Sequence, residues 1–210
     1  MKRIVAYSES QLKVQLRELP PRCRTIFALA CAQRLLPTYE HFTRRTREGD
    51  LPLVTAAINR LWLDVEGQLL SPRELQANLD SVMALIPEEC TSLEAAAADA
   101  LSCLSYAICC RRTGSAQEAA WAARRAYEAL DGLVIAQQRI ELNVAGAEER
   151  ALSHPSIQAE LIRQQRDLRE LRAAVREEPE GLISRFRDRA TSDSKLFWTW
   201  EWAFAPDERS

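Results

Sequence analysis

Apolar positions recur along this chain at helical spacing, and no alternating strand pattern competes until the last dozen residues. Start and stop signals divide the pattern. Ser71-Pro72-Arg73-Glu74 combines an N-cap, a proline at the first helical position and a glutamate at the third, so a helix is predicted to begin at Pro72. Thr91-Ser92-Leu93-Glu94 and Ser115-Ala116-Gln117-Glu118 repeat the capping box. Gly114, just before Ser115, supplies a left-handed turn that makes the flanking helices an antiparallel pair. Further helices are predicted over 8–18, 22–47 with a bend at Pro37, 51–69, 116–145, 155–177 and 180–190. The expected fold is all-α: a single-domain bundle of about eight helices over residues 1–190, followed by a linker and aromatic tail over 191–210.

The stretch Ala95–Cys110, AAAADALSCLSYAICC, has Asp99 as its single carboxylate in sixteen residues. Apolar on nearly every side and rich in alanine, it is expected to be a helix surrounded by protein, the centre of the bundle over about 92–112. At about 1.5 Å per residue it spans roughly 24 Å, short of the roughly 20 apolar residues that cross a bilayer. A core helix is expected, not a membrane span.

Composition adds little pull toward a particular partner. The 210 residues carry 28 basic and 30 acidic side chains, a formal net charge of -2, so no global attraction to nucleic acid is expected. The start MKRIVAYSESQL lacks the apolar run of a signal or anchor. The six cysteines form no CxxC pair and have no histidine at ligand spacing, so reduced, buried thiols and a cytoplasmic location are expected. No phosphate loop, GxSxG or HExxH occurs, and no metal or cofactor is expected.

Scattered residues carry a family resemblance. Phe27-Ala28, Ala30-Cys31, Arg34, Pro37, Tyr39 and Phe42, then Gly49-Asp50 and Leu61-Trp62, resemble the bacterial YjaG-like family, domain of unknown function 416. Ala98-Asp99-Ala100 with Leu104-Ser105 resembles that family's central helix, and Pro155, Ile157 and Glu160 resemble the start of its last long helix. The resemblance covers roughly residues 8–190 and implies an all-helical, single-domain cytoplasmic protein. It implies no activity and transfers no catalytic residue.

Candidate chemistry is thin. Asp99, Ser102 and Tyr106 lie at i, i+3 and i+7, along one face of the central helix, while Leu93, Ala97, Leu101, Leu104 and Ile108 make an apolar stripe elsewhere. A buried carboxylate needs a partner, and Arg34, on a face shared with Phe27, Ala30 and Cys31, is the expected one, with Tyr39 just beyond the Pro37 bend. This set reads as a structural ion pair fixing two helices or as a polar cleft in which Asp99 acts as acid, base or ligand anchor. The helix after Pro155 carries Arg163, Arg166, Arg169, Arg172 and Arg176 beside an apolar seam of Ile157, Leu161, Leu168, Leu171 and Val175. Asp167 and Glu170, four residues after Arg163 and Arg166, are expected to neutralise a solvated face; the alternative is an anion-binding surface helped by Arg44, Arg45 and Arg47, and the seam is suited to dock on the same helix of a second subunit.

The segment 195–204 holds three of the five tryptophans. Trp198, Trp200, Trp202 and Phe204 alternate, so an extended strand would present them on one side. They are expected either to fold back on their own bundle or to anchor a docking arm on a second copy or another protein. Thr191-Ser192-Asp193-Ser194 is read as the linker before them. The sequence therefore leads to a non-enzymatic cytoplasmic interaction or regulatory protein, a homodimer or a partner of another protein. The alternative is an enzyme or small-ligand binder built around Asp99.

Overall fold

The computed structural model describes residues 4–88, 91–177 and 180–196, which contain nine α-helices and no strand. They are α1 (Glu9–Arg17), α2 (Pro21–Thr46), α3 (Leu51–Glu66), α4 (Pro72–Met83), α5 (Ser92–Thr113), α6 (Ala116–Gln138), α7 (Ala147–Leu152), α8 (Pro155–Glu177) and α9 (Leu182–Leu196). Local chemistry sets most boundaries. Ser71 and Glu74 close a full capping box at α4, and the Thr91 and Ser115 side chains accept backbone N–H groups at the starts of α5 and α6. Gly114, at φ 66°, ends α5 by donating its N–H to the Cys110 carbonyl at 2.8 Å. That reversal lays α5 and α6 against each other as the capping signals predict.

Two helices share the centre. α5 is enclosed by α2, α4 and α6, and its buried positions run almost all the way round, from Ala96 to Cys110. By length and composition it is apolar enough to cross a membrane; here it is a core helix. α2 is buried more completely: every residue from Thr25 to Leu35 is inside, and α3, α5, α6, α8 and α9 all pack on it. The helix runs through Pro37 as one element. Its polar core residues are there because they have partners. Gln33 Oε1 accepts the Trp62 indole N–H at 3.1 Å, so both can be buried without an unmet hydrogen bond.

A second, smaller apolar cluster joins Leu130 and Val134 of α6 to Ile157 and Leu161 of α8. It explains why α6 stops seven residues before the expected 145. Arg139 takes a left-handed conformation at φ 48°, its N–H bonds to the Ala136 carbonyl, and the Ile140 N–H reaches back to Ile135 at 3.0 Å. This Schellman-type closure folds Ile140 onto the cluster. Packing of the half-buried Ile140 on the cluster offsets the cost of a positive φ at an arginine. α7 then starts after Gly146.

The seam of α8 is also taken up within the chain. Ile157 and Leu161 face the smaller cluster, Leu168 and Leu171 join the main core, and Val175 alone stands exposed, at 42 %. It therefore gives no free heptad face to a second subunit. The linker expected at 191–194 is helical instead: α9 continues to Leu196, with Asp193 and Ser194 buried.

Candidate functional site

The most concentrated chemistry lies where α2 meets α8. Arg34 projects from the fully buried stretch of α2, and α8 brings Glu160 and Asp167 to it at i and i+7, two turns apart on one face. The guanidinium grips Glu160 with a fork: Nε donates to Oε2 at 2.9 Å and Nη2 to Oε1 at 2.8 Å. Nη1 donates to Asp167 Oδ2 at 2.8 Å, and Nη2 also approaches Cys31 Sγ at 3.4 Å. Burial opposes the charge on Arg34, but Glu160, Cys31 and Asp167 outweigh it and hold the guanidinium firmly protonated. Gln164, one turn from Glu160, donates to Glu160 Oε1 and to the Ala123 carbonyl of α6, each at 3.1 Å. Three helices are thus tied at one point.

The network continues into α9. Asp167 Oδ1 accepts from Arg189 Nη2 at 2.9 Å, and the Arg189 guanidinium lies 4.5 Å over the Phe186 ring. Arg166 Nη2 donates to Asp193 Oδ2 at 2.6 Å, and Arg163 pairs with the other oxygen of Asp193 at 3.4 Å. Asp167 therefore does not neutralise a solvated face, and Glu170, 41 % exposed, pairs with Arg189 of α9. Asp167 turns inward to Arg34, and the Arg163–Arg166 edge binds α9. Asp193 is also why α9 outruns the expected linker.

The expected pairing of Arg34 with Asp99 is not formed. Asp99 is 17 % exposed and accepts from Arg125 Nη1 of α6 at 2.9 Å. Ser102 is half-buried, and Tyr106 packs on Trp121 with ring centroids 5.4 Å apart. Tyr39 is elsewhere again. It is buried beside Phe42, and its hydroxyl accepts the Asp50 N–H at 3.0 Å, bracing the α2–α3 turn against Gly49. The residues named together from the sequence are thus divided among three places. Trp198, Trp200, Trp202 and Phe204 lie outside the described residues.

Clefts lined by other residues open on the surface. One, of about 520 Å³, lies between the start of α2, the end of α3 and the end of α5, lined by Arg22, Asp64, Val65, Leu69 and Arg111 with Pro21 and Thr25. At its base Asp64 is buried, accepting the Leu70 N–H at 2.7 Å and binding the Arg111 guanidinium through Nε and Nη2. The other, of about 390 Å³, is framed by Arg139, Ile140, Val144, Arg150 and His154. His154 holds Ser156 Oγ at 3.1 Å through Nδ1, and burial keeps its pKa below the ordinary histidine value. Burial, with Arg45 and Arg44 nearby, lowers His41 in the same direction.

Sequence reasoning missed Asp167 as a core residue and Glu160 as the partner of Arg34. The signal was present: Glu160, Gln164 and Asp167 recur at i, i+4 and i+7 directly beside Ile157, Leu161, Leu168 and Leu171, so they border the buried face.

Comparison with known proteins agrees with this architecture. The family model described as Protein of unknown function (DUF416) matches residues 11–195. A crystal structure of a DUF416 family protein from Shewanella baltica OS155 superimposes with a TM-score of 0.72 at 17 % identity, covering 88 % of this chain and 93 % of that one. At that identity the likeness is one of fold. No curated protein matches the chain significantly.

Proposed function

We propose, from the premise that the chain belongs to the DUF416 family, a family of unknown function, that it acts as a non-enzymatic cytoplasmic interaction or regulatory protein. The observation that carries this reading is the fate of the polar groups. Arg34, Glu160, Asp167 and Arg189 hold helices together in one network, and Asp99 is engaged by Arg125 at the surface. Free thiols at Cys23, Cys31, Cys103, Cys109 and Cys110 fit a reducing compartment.

In this reading Trp198, Trp200, Trp202 and Phe204 are the contact anchors, and the partner is a second copy or another protein. The test compares the full chain with one carrying Trp198→Ser, Trp200→Ser and Trp202→Ser together, by light scattering on a sizing column and by co-purification from native lysate. The expected result is a dimer or a stoichiometric companion that the substitutions abolish while the melting temperature holds. A parent chain that is monomeric and purifies alone overturns the reading.

A further inference from the structure

We propose that the cleft between the start of α2, the end of α3 and the end of α5 binds a small amphiphilic monoanion, its carboxylate on Arg22 and Arg111 and its hydrocarbon body against Pro21, Val65 and Leu69. Its volume, about 520 Å³, falls within the range that holds small organic ligands. Both guanidinium groups are held from behind. Arg22 donates Nε to the Val65 carbonyl at 2.9 Å, which leaves Nη1 and Nη2 without a partner among the described residues. Arg111 is fixed by Nε and Nη2 on the buried Asp64, itself anchored by the Leu70 N–H, which leaves Nη1 over. Two preorganised cations with unused N–H groups in one concave site are the arrangement that recognises a carboxylate.

Charge and surface narrow the class further. Asp64 and Glu66 balance Arg22 and Arg111 across the lining, so the site has no excess positive charge to hold a polyphosphate or nucleic acid, and a monoanion is bound through the unused N–H groups. Leu69, 73 % exposed on the rim, is the large apolar side chain that a hydrocarbon body would cover. The buried Asp64 already has its donors, so apart from the exposed Glu66 carboxylate the charged groups left to bind are N–H donors. The site is independent of the partner reading above.

The test is isothermal titration of the full chain with hexanoate, hexylammonium and inorganic phosphate. Hexanoate is expected to bind saturably at one site. Arg22→Gln is expected to weaken it by about tenfold or more, and Leu69→Ser by about threefold or more. Both positions are exposed, so both variants should stay folded, with Arg22→Gln melting only a few degrees lower for the lost bond to Val65. Arg150→Gln, at the other cleft, should leave the affinity unchanged. The proposal is overturned by no saturable hexanoate binding, by unchanged affinity in Arg22→Gln, by a loss in Arg150→Gln instead, or by hexylammonium or phosphate binding as tightly as hexanoate.

Discussion

Replacing Arg34 with methionine isolates what the ionic junction contributes. Methionine keeps much of the aliphatic stem and removes three charge-assisted bonds, at 2.9, 2.8 and 2.8 Å. It leaves Glu160 and Asp167 with carboxylates whose side chains are each 1 % exposed. Neither is wholly abandoned, since Glu160 retains Gln164 and Asp167 retains Arg189. The expected loss is therefore that of breaking one buried pair, about 3–5 kcal/mol, and not two such losses added. For a chain of this size each kcal/mol moves the melting temperature by about 2–4 °C, so Arg34→Met should melt roughly 6–20 °C below the parent. Combining Arg34→Met with Glu160→Met and Asp167→Asn, which removes all three charges, should recover a large part of that loss, because the desolvation penalty disappears with the charges. Thermal and urea melts followed by far-UV circular dichroism read both. Arg34→Met melting within about 1 °C of the parent would refute the argument that these carboxylates depend on Arg34.

Three further outcomes follow from single sites. Gly49→Ala must place a Cβ 2.3 Å from the Tyr39 hydroxyl at a backbone φ of 81°, so it should cost about 2 kcal/mol or more in a urea melt, whereas a near-neutral change would mean the α2–α3 turn relaxes freely. Asp131 is half-buried, and burial, then Glu128 and Glu148, raise its carboxyl pKa above the ordinary value. A raised folded pKa means the folded state binds the proton more readily than the unfolded one, so charged Asp131 destabilises the fold at neutral pH. Asp131→Asn should therefore stabilise the fold at pH 7, by less than about 1 kcal/mol after solvent screening, and the gain should shrink as pH falls through the raised pKa; a gain that is flat with pH contradicts this. Burial pushes the Cys31 and Cys103 thiols well above their ordinary range and Cys110 up to about 12, so all three should resist thiol reagents at neutral pH until the protein unfolds. Peptide mapping that finds any of them labelled in the native protein within minutes would count against the packing described.

The sequence by itself determined the helices that local chemistry specifies. The capping box at Ser71, the N-cap side chains of Thr91 and Ser115 and the left-handed Gly114 act over a few residues, so α4, α5 and α6 begin where those residues stand. The burial of α5 was equally legible, because a helix apolar on nearly all sides has no stable place but the interior. So was the inward direction of Arg34, which shares its face with Phe27, Ala30 and Cys31.

The partner of Arg34 was another matter. A guanidinium selects its carboxylate by distance in space, and Glu160 and Asp167 stand 126 and 133 residues away along the chain. Asp99, the single carboxylate of the most apolar segment, was the natural expectation. The turn of α5 against α6 carries it instead to the surface and Arg125. The ends of α6 and α9 escaped for the same kind of reason. Arg139 tolerates a left-handed backbone because Ile140 finds an apolar cluster built from α6 and α8, and residues 191–196 stay helical where Asp193 meets Arg163 and Arg166. The cleft of Arg22 and Arg111 exists only once three helix ends converge. Local signals fix where a helix starts; only the packed bundle decides which charges meet, because burial makes an unpaired charge more costly than any local preference.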